Sequence, residues 1–490
     1  MKVAIFGSGH FGKCALQDYG CDKVECFIDN ALEKAGKEVE GKKILSFDEF
    51  KKTYGSMHIV IAVNNFVKIA EQLRNEEFFD YEIYKPYSYS EFEDLKEAVS
   101  SCTDNIILVG IDDSTEMVYR AMLSVGVKKE QVFLSDIDRT GKSNYIAEEC
   151  CYLLDSGEMN KTKYFVVSSE TRAYAIQTYL QRQYPDHIIL NPFITKRYGE
   201  KNKLVVNPYM GMDHDISEEE WIAQSEQEDR KTAIQEYMEE LNKDIPFLEH
   251  IEIETVNRCN GGCDFCPVSV GNERRPEMRM KEELFTCIID QLADRDYSGR
   301  LATFSNNEPF LDDRIVRFNK YAREKLPNAR IHLFTNGTLL KLETFVEIMN
   351  YLDEIVIDNY NQQLELIPTV KKIVQYCEEH KELVEKVTVV TRKPHEIRTS
   401  RGGDAPNREK SDYLKDYGCV LPFKQMIIRP DGKVSLCCND PYGKYTLGDL
   451  SVQTIDEVWY GKEFARVRKA MLKGRKAFGG CCYCDTALMI

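Results

Sequence analysis

The chain carries 17 cysteines, and nine of them fall in two short groups. That distribution constrains the fold more than any other feature. Cys259, Cys263 and Cys266 lie within eight residues, and Cys419, Cys437, Cys438, Cys481, Cys482 and Cys484 crowd the end of the 490-residue sequence. The others are scattered, as small buried hydrophobes are. Residues 1–7 lead straight into strand-like sequence with no leader pattern, so the chain reads as cytoplasmic. In a reducing compartment a disulfide framework is a poor explanation for an odd cysteine count. Clustered thiols ask instead for a metal. The net charge of −16 argues against a nucleic-acid partner, and no apolar run is long enough to span a bilayer.

Periodicity places these groups. Val3–Phe6 reads as a strand running into Gly7-Ser8-Gly9-His10-Phe11-Gly12. A second strand, Val24–Ile28, ends at Asp29, and a third lies within Met57–Val63. Strand, glycine turn, helix, strand and acid is the order of a dinucleotide-binding unit. Gly7, Gly9, Gly12 and Asp29 are its candidate binding residues. The alternative is a scaffold that merely needs a tight turn. The pattern recurs without its glycines from Asn105–Val109, through Gln131–Leu134 to Asp136 and Asp138, and then Lys163–Val167. We expect tandem Rossmann-like units at 1–100 and 101–212, then a charged helical linker at 213–247 with a helix start at Ser217–Glu220. From 248 to 415, strands and helices alternate. The strand candidates are Leu248–Ile253, Arg300–Phe304, Ala329–Phe334, Glu354–Ile357 and Lys386–Val390. Such an α/β run implies a parallel sheet, open or curved into a partial barrel. Residues 416–490 read as loop-rich, with too little apolar periodicity for a core of their own and a metal supplying folding energy.

Cys259-Asn260-Gly261-Gly262-Cys263-Asp264-Phe265-Cys266 follows the first of these later strands directly. Three thiols on a glycine-containing loop can converge on one centre and leave a coordination position open, as catalytic metals require. A zinc knot is the structural alternative. This CxxxCxxC motif, with an aromatic before the last cysteine, resembles the radical S-adenosylmethionine (SAM) superfamily. The resemblance implies that Cys259, Cys263 and Cys266 hold a 4Fe–4S cluster whose fourth iron is chelated by SAM. It also implies that an electron from the cluster cleaves SAM to methionine and a hydrogen-abstracting 5′-deoxyadenosyl radical. Phe265 is then a contact on the adenine side. Ser305-Asn306-Asn307-Glu308-Pro309 stands where the family has a GGE-like segment. Glu308 remains an acceptor for the SAM ammonium, but both glycines are replaced. Asn336, in Thr335-Asn336-Gly337-Thr338 after the third strand, also resembles the family, with a plain turn as the alternative, and Asn359 and Arg392, after the fourth and fifth strands, match positions that contact ribose or carboxylate.

The last cysteines resemble the SPASM-type extension of these enzymes. In its short form that extension holds one auxiliary 4Fe–4S cluster, here through Cys419, Cys437, Cys481 and Cys484. Cys438 and Cys482 would be spare, and Cys438 could exchange roles with Cys437. A four-cysteine zinc site is the alternative. Residues 1–64 resemble small domains found beside sugar-nucleotide acyltransferases, which suggests a nucleotide or nucleotide-sugar ligand there. The combined expectation is a radical SAM oxidoreductase acting on a carbohydrate-like small molecule. Its auxiliary cluster would act as electron acceptor, and its electron donor would be flavodoxin- or ferredoxin-like. The alternatives are a peptide maturase and a non-catalytic metal scaffold.

Overall fold

Val3-Ala4-Ile5-Phe6 is apolar at every position and fully buried, as a strand covered on both faces must be. It is the central strand β1 of a six-stranded sheet. The others are β2 (Val24–Ile28), β3 (Glu38–Val39), β4 (Lys42–Leu45), β5 (His58–Ile61) and β6 (Tyr81–Ile83), in the order β3-β4-β2-β1-β5-β6. Only β3 runs antiparallel to its neighbour. A second sheet contains β7 (Ile106–Val109), β8 (Val132–Asp136), β9 (Gly141–Lys142), β10 (Cys150–Leu153), β11 (Tyr164–Val167) and β12 (Ile188–Leu190). Its order, β12-β11-β7-β8-β10-β9, is the same topology strand for strand, with β9 again antiparallel. The turns correspond too. The backbone N–H of Ser8 bonds the carboxylate of Asp29, and that of Ile111 bonds the carboxylate of Asp136. Both sheets pack into one hydrophobic core.

The computed structural model describes residues 2–31, 34–63, 66–85, 88–136, 141–142, 150–153, 162, 164–170, 172–193, 203–209, 235, 238–239, 241–243 and 245–486. The expected acid Asp138 and the expected helix start at Ser217–Glu220 lie outside them. The chain divides into two compact units, Met1–Thr195 and Lys196–Ile490. The second begins earlier than the expected limit at 212. Val205–Val206 (β13) pairs with β18, because two adjacent valines can complete a parallel edge.

The second unit is built on one nine-stranded sheet. Its further strands are β14 (His250–Ile253), β15 (Arg300–Ala302), β16 (Arg330–Thr335), β17 (Glu354–Tyr360), β18 (Val387–Arg392), β19 (Gln425–Ile428), β20 (Lys433–Ser435) and β21 (Thr446–Asp449). The order is β13-β18-β17-β16-β15-β14-β19-β20-β21, parallel as far as β19 and antiparallel beyond it. Alternate residues such as Ile251, Leu301, Leu333, Ile355 and Val389 pack in the main core. The intervening residues of β14, β16 and β17 include His250, Glu252, His332 and Glu354, which are buried as well. One face is thus apolar and the other polar and enclosed.

Two expectations change here. Residues 416–486 have no separate core: Phe423, Met426, Val458, Trp459, Phe464, Val467 and Met471 join the same cluster as the parallel strands. The helices Ile455–Trp459 and Lys462–Met471 supply the packing that seemed missing from the sequence. The expected linker also contributes, because Met238 is fully buried in that core and Gln235 donates to the carbonyl of Leu472 at 3.1 Å.

Candidate cluster-binding site

The loop after β14 carries Cys259, Cys263 and Cys266. Its backbone is tied by a Cys266 N–H to Cys263 carbonyl bond and a Val270 N–H to Gly261 carbonyl bond. The Gly261 N–H donates to Cys259 Sγ at 3.3 Å. A Cβ at position 261 would lie 3.3 Å from Cys259 Sγ and 3.9 Å from Cys263 Sγ. The two sulfurs therefore flank one small space, where a side chain at 261 would press on Cys259 Sγ. Burial pushes the Cys259 thiol up to about 11 and that of Cys263 higher still, and each feels Cys266. Bound iron would reverse this, because metal coordination deprotonates a thiol. Among the described residues, no three His, Cys, Asp or Glu side chains are spaced to hold a single metal ion. Thiolates on the corners of a four-iron cluster stand farther apart than those around one ion. Three converging thiols with glycine between them fit such a cluster.

Glu308 is buried at the start of the short helical turn Pro309–Leu311. Its Oε1 accepts from Thr335 Oγ1 at 2.7 Å and from the Phe310 N–H at 3.1 Å, and its Oε2 accepts from the Asn336 N–H at 2.8 Å. Burial raises its pKa against those three donors. Oε2 keeps room for one more donor. Asn336 Nδ2 donates to Asn260 Oδ1 at 2.9 Å, and Asn260 donates to Thr338, which stitches the cysteine loop to the end of β16.

The remaining expected positions differ. Asn359 is fully buried, and both ends of its amide are bonded at 2.9 Å, to the Glu365 carbonyl and the Ile367 N–H. It braces a turn through these two bonds. Arg392 is held by Asp358 at 2.7 Å beside Glu396, at the end of β18. The ring of Phe265 lies 6.0 Å from that of Tyr360, with the Arg398 guanidinium 5.5 Å from its centroid. Asn306, in place of the first glycine, donates to the Cys438 carbonyl at 3.3 Å. Arg401 donates to the same carbonyl at 3.1 Å and also binds Asn306. Tyr442 donates to the Pro267 carbonyl at 2.8 Å. The loop of the second cysteine group is thus joined to the first group's loop at Pro267, through Tyr442, and to the turn after β15, through Asn306 and Arg401.

In the second group, Cys437 lies within electrostatic reach of Cys419, Cys481 and Cys484, and burial raises its thiol. Cys481 is raised by burial and by Cys419 and Cys484. Cys482 instead lies near the exposed Lys415, and Cys438 adjoins Cys437 in the chain. Four thiols so gathered fit a four-cysteine cluster. Buried among them is Arg475, which the sequence reading passed over because its Lys-Gly-Arg-Lys surroundings look like a solvated charged run.

In the first unit, Gly7 and Gly12 are explained by packing. A Cβ at Gly7, whose φ is +110°, would lie 2.4 Å from Val63, and one at Gly12 would lie 2.0 Å from the Gly7 carbonyl oxygen. Gly9 has nothing within 4 Å of such a Cβ. Asp29 accepts from Ser8 Oγ at 2.5 Å, Ala31 N–H at 3.0 Å and Lys34 at 3.1 Å. These bonds outweigh its burial and lower its pKa.

Residues 253–387 match the family model described as the Radical SAM superfamily, and residues 419–485 match the SPASM iron–sulfur cluster-binding domain. The S-adenosyl-L-methionine-dependent 2-deoxy-scyllo-inosamine dehydrogenase of Niallia circulans is 25% identical over 246 residues, 47% of this chain and 90% of that protein. Among solved structures, BtrN in complex with AdoMet and 2-DOIA aligns with TM-score 0.42 and 22% identity, over 49% of this chain and 92% of that one. Streptococcus suis SuiB bound to S-adenosylmethionine aligns with TM-score 0.31 and 15% identity, over 47% and 71%. With each cysteine group inside a matched domain, the chain carries a radical SAM domain followed by a SPASM iron–sulfur domain.

Proposed function

We propose that this enzyme is a dehydrogenase for a carbohydrate-like ring substrate. Cys259, Cys263 and Cys266 would hold the SAM-cleaving cluster, and Cys419, Cys437, Cys481 and Cys484 the auxiliary one. The gathering of four thiols carries the reading. With four protein ligands on offer, no corner of that cluster is left for substrate, so its role is electron transfer. The similarity to a dehydrogenase of 2-deoxy-scyllo-inosamine supports the substrate class. When bound, the clusters and SAM supply a hydrogen-abstracting radical and an acceptor for the second electron.

The protein's own part is orientation. Glu308 Oε2 accepts from the SAM ammonium while its other bonds fix it to β16. Asn336 holds the cysteine loop, and Arg392 supplies positive charge at the end of β18. Phe265, between Tyr360 and Arg398, sets one wall of the adenine side. A cytoplasmic setting and a flavodoxin- or ferredoxin-like donor belong to the same reading. So does a nucleotide or nucleotide-sugar at Gly7, Gly9, Gly12 and Asp29.

The test is anaerobic reconstitution with iron and sulfide, followed by reduction with SAM and a panel of aminocyclitols and sugars. We expect about eight irons per chain, formation of 5′-deoxyadenosine, and a ketone product from one member of the panel. Bound zinc without SAM cleavage would overturn the cluster assignment. SAM cleavage stimulated only by peptides would overturn the substrate class.

A further inference from the structure

Arg475 lies between the helix Lys462–Met471 and the last cysteines, and only 2% of it is exposed. Its Nη1 donates to the Cys484 carbonyl at 2.8 Å and its Nη2 to the Thr486 carbonyl at 2.5 Å. The guanidinium also lies close to the thiols of Cys419, Cys481 and Cys484. Its backbone N–H bonds the Tyr417 carbonyl. One side chain therefore touches the chain on both sides of the four-thiol group. Its Nε is buried with no hydrogen-bond partner.

Among the described residues, no acid pairs with Arg475. Other buried arginines of this unit have one: Arg275 pairs with Glu254 and Glu273, and Arg408 pairs with Asp485. Arg468 has none, but it stacks on Trp459 and Phe464. The carboxylate that reaches Cys481, Asp440, is held by the backbone N–H groups of Lys444 and Tyr445. A buried cation without a counter-charge is costly, and neutral thiols and carbonyls do not supply one. A four-iron cluster on four thiolates does, with about two negative charges when oxidised and about three when reduced.

We propose that Arg475 is the counter-ion of the auxiliary cluster and raises its reduction potential, so that it accepts the electron left after hydrogen abstraction. The proposal rests on the assignment of Cys419, Cys437, Cys481 and Cys484 as ligands. The bookkeeping is one electron. After a hydrogen atom has left the carbon that bears a hydroxyl, loss of the hydroxyl proton leaves a ketyl radical anion, which becomes the carbonyl when it gives up one electron. The remaining electron reduces the cluster by one unit. A fixed positive charge favours the more negative, reduced form.

The experiment uses the full chain with Cys259, Cys263 and Cys266 each changed to Ala, so that only the auxiliary cluster is read. Its midpoint is measured by a redox titration followed by electron paramagnetic resonance, with and without Arg475→Gln or Arg475→Lys. We expect Arg475→Gln to weaken reduction at least tenfold, a fall of about 59 mV for one electron. Arg475→Lys should stay nearer the parent. An unchanged midpoint in Arg475→Gln at full iron content overturns the proposal. If Arg475→Gln fails to load iron and Arg475→Lys loads it, the charge is what the cluster needs, and the proposal stands. If neither loads, the fork of bonds to Cys484 and Thr486 is what matters, and the counter-ion role is overturned. A parent protein that binds zinc or no four-iron cluster would instead overturn the ligand assignment.

Discussion

At the scale of single residues, Glu308 and Asn359 show how a sequence match and a structural role can part. Both stand at strand ends where the family contacts SAM. Glu308 is held by three donors yet keeps one acceptor site, whereas Asn359 has both ends of its amide bonded to the 365–367 turn. Glu308→Gln should destabilise the fold by about 1–3 kcal/mol, since a donor then faces the Asn336 N–H. It should also weaken SAM binding. Asn359→Ala should cost about 1–2 kcal/mol in a thermal melt and leave SAM affinity within a few fold. Equal loss of SAM affinity in both variants would restore Asn359 to the binding set. Asn306 teaches the opposite lesson. In the sequence it is a departure from the glycine the family uses. In the structure its amide, with Arg401, holds the Cys438 carbonyl. A single sequence cannot reveal a bond across 132 positions.

At the scale of elements, what was legible follows from burial. Val3–Phe6 is apolar throughout, Val24–Ile28 is apolar except at Glu25, and both are buried in a parallel sheet, so their limits are legible in the sequence. Lys42–Leu45, between β3 and β2, is not legible in the sequence because a short strand with two lysines looks like a loop. The helix Lys462–Met471 hid among charges, since its buried side is only Phe464, Val467, Arg468 and Met471. The glycine turn can be divided by substitution. Gly12→Ala, forced against the Gly7 carbonyl, should lower the melting temperature of the first unit. Gly9→Ala meets nothing and should leave it unchanged. If the turn binds a nucleotide, Gly9→Ala should weaken that binding in an ADP titration. Binding that is equal in parent and Gly9→Ala protein would remove the pyrophosphate role from this residue.

The same unit carries a pH-sensitive network. Burial alone would raise Glu82. His58, Lys96 and Tyr19 outweigh it and hold the carboxyl at about 2, below its ordinary 4.5. Burial lowers His58, but Glu82 and Asp80 raise it above 6.5 overall. A depressed carboxyl stabilises above its unfolded pKa and loses that as pH falls toward 2. A raised histidine stabilises below its unfolded pKa and loses that as pH rises past its folded one. The network should therefore be strongest between 4.5 and 6.5. Glu82→Gln should remove on the order of 3 kcal/mol there. It should also flatten the acid limb of stability against pH. An unchanged acid limb in urea melts would assign that limb to other groups.

At the scale of the whole molecule, the second unit separates two sources of order that the sequence could not. The cysteine-rich end looked dependent on its metal, because its apolar residues are spread over two short helices and a strand pair. In the fold, Trp459, Phe464, Val467 and Met471 share one core with Phe285, Ile331 and Ile355, and β19 pairs with β14 along four residues. Burying several such side chains is worth roughly 1.5–3 kcal/mol each. That is enough to keep this segment docked without a cluster. Cys481→Ala should then lose about half of the iron while the helix Lys462–Met471 stays protected from hydrogen exchange. SAM cleavage should continue, and ketone formation should stop. Exchange throughout 455–471 in that variant would return the folding energy to the metal. Normal ketone formation at half the iron content would take the electron-acceptor role away from the second cluster.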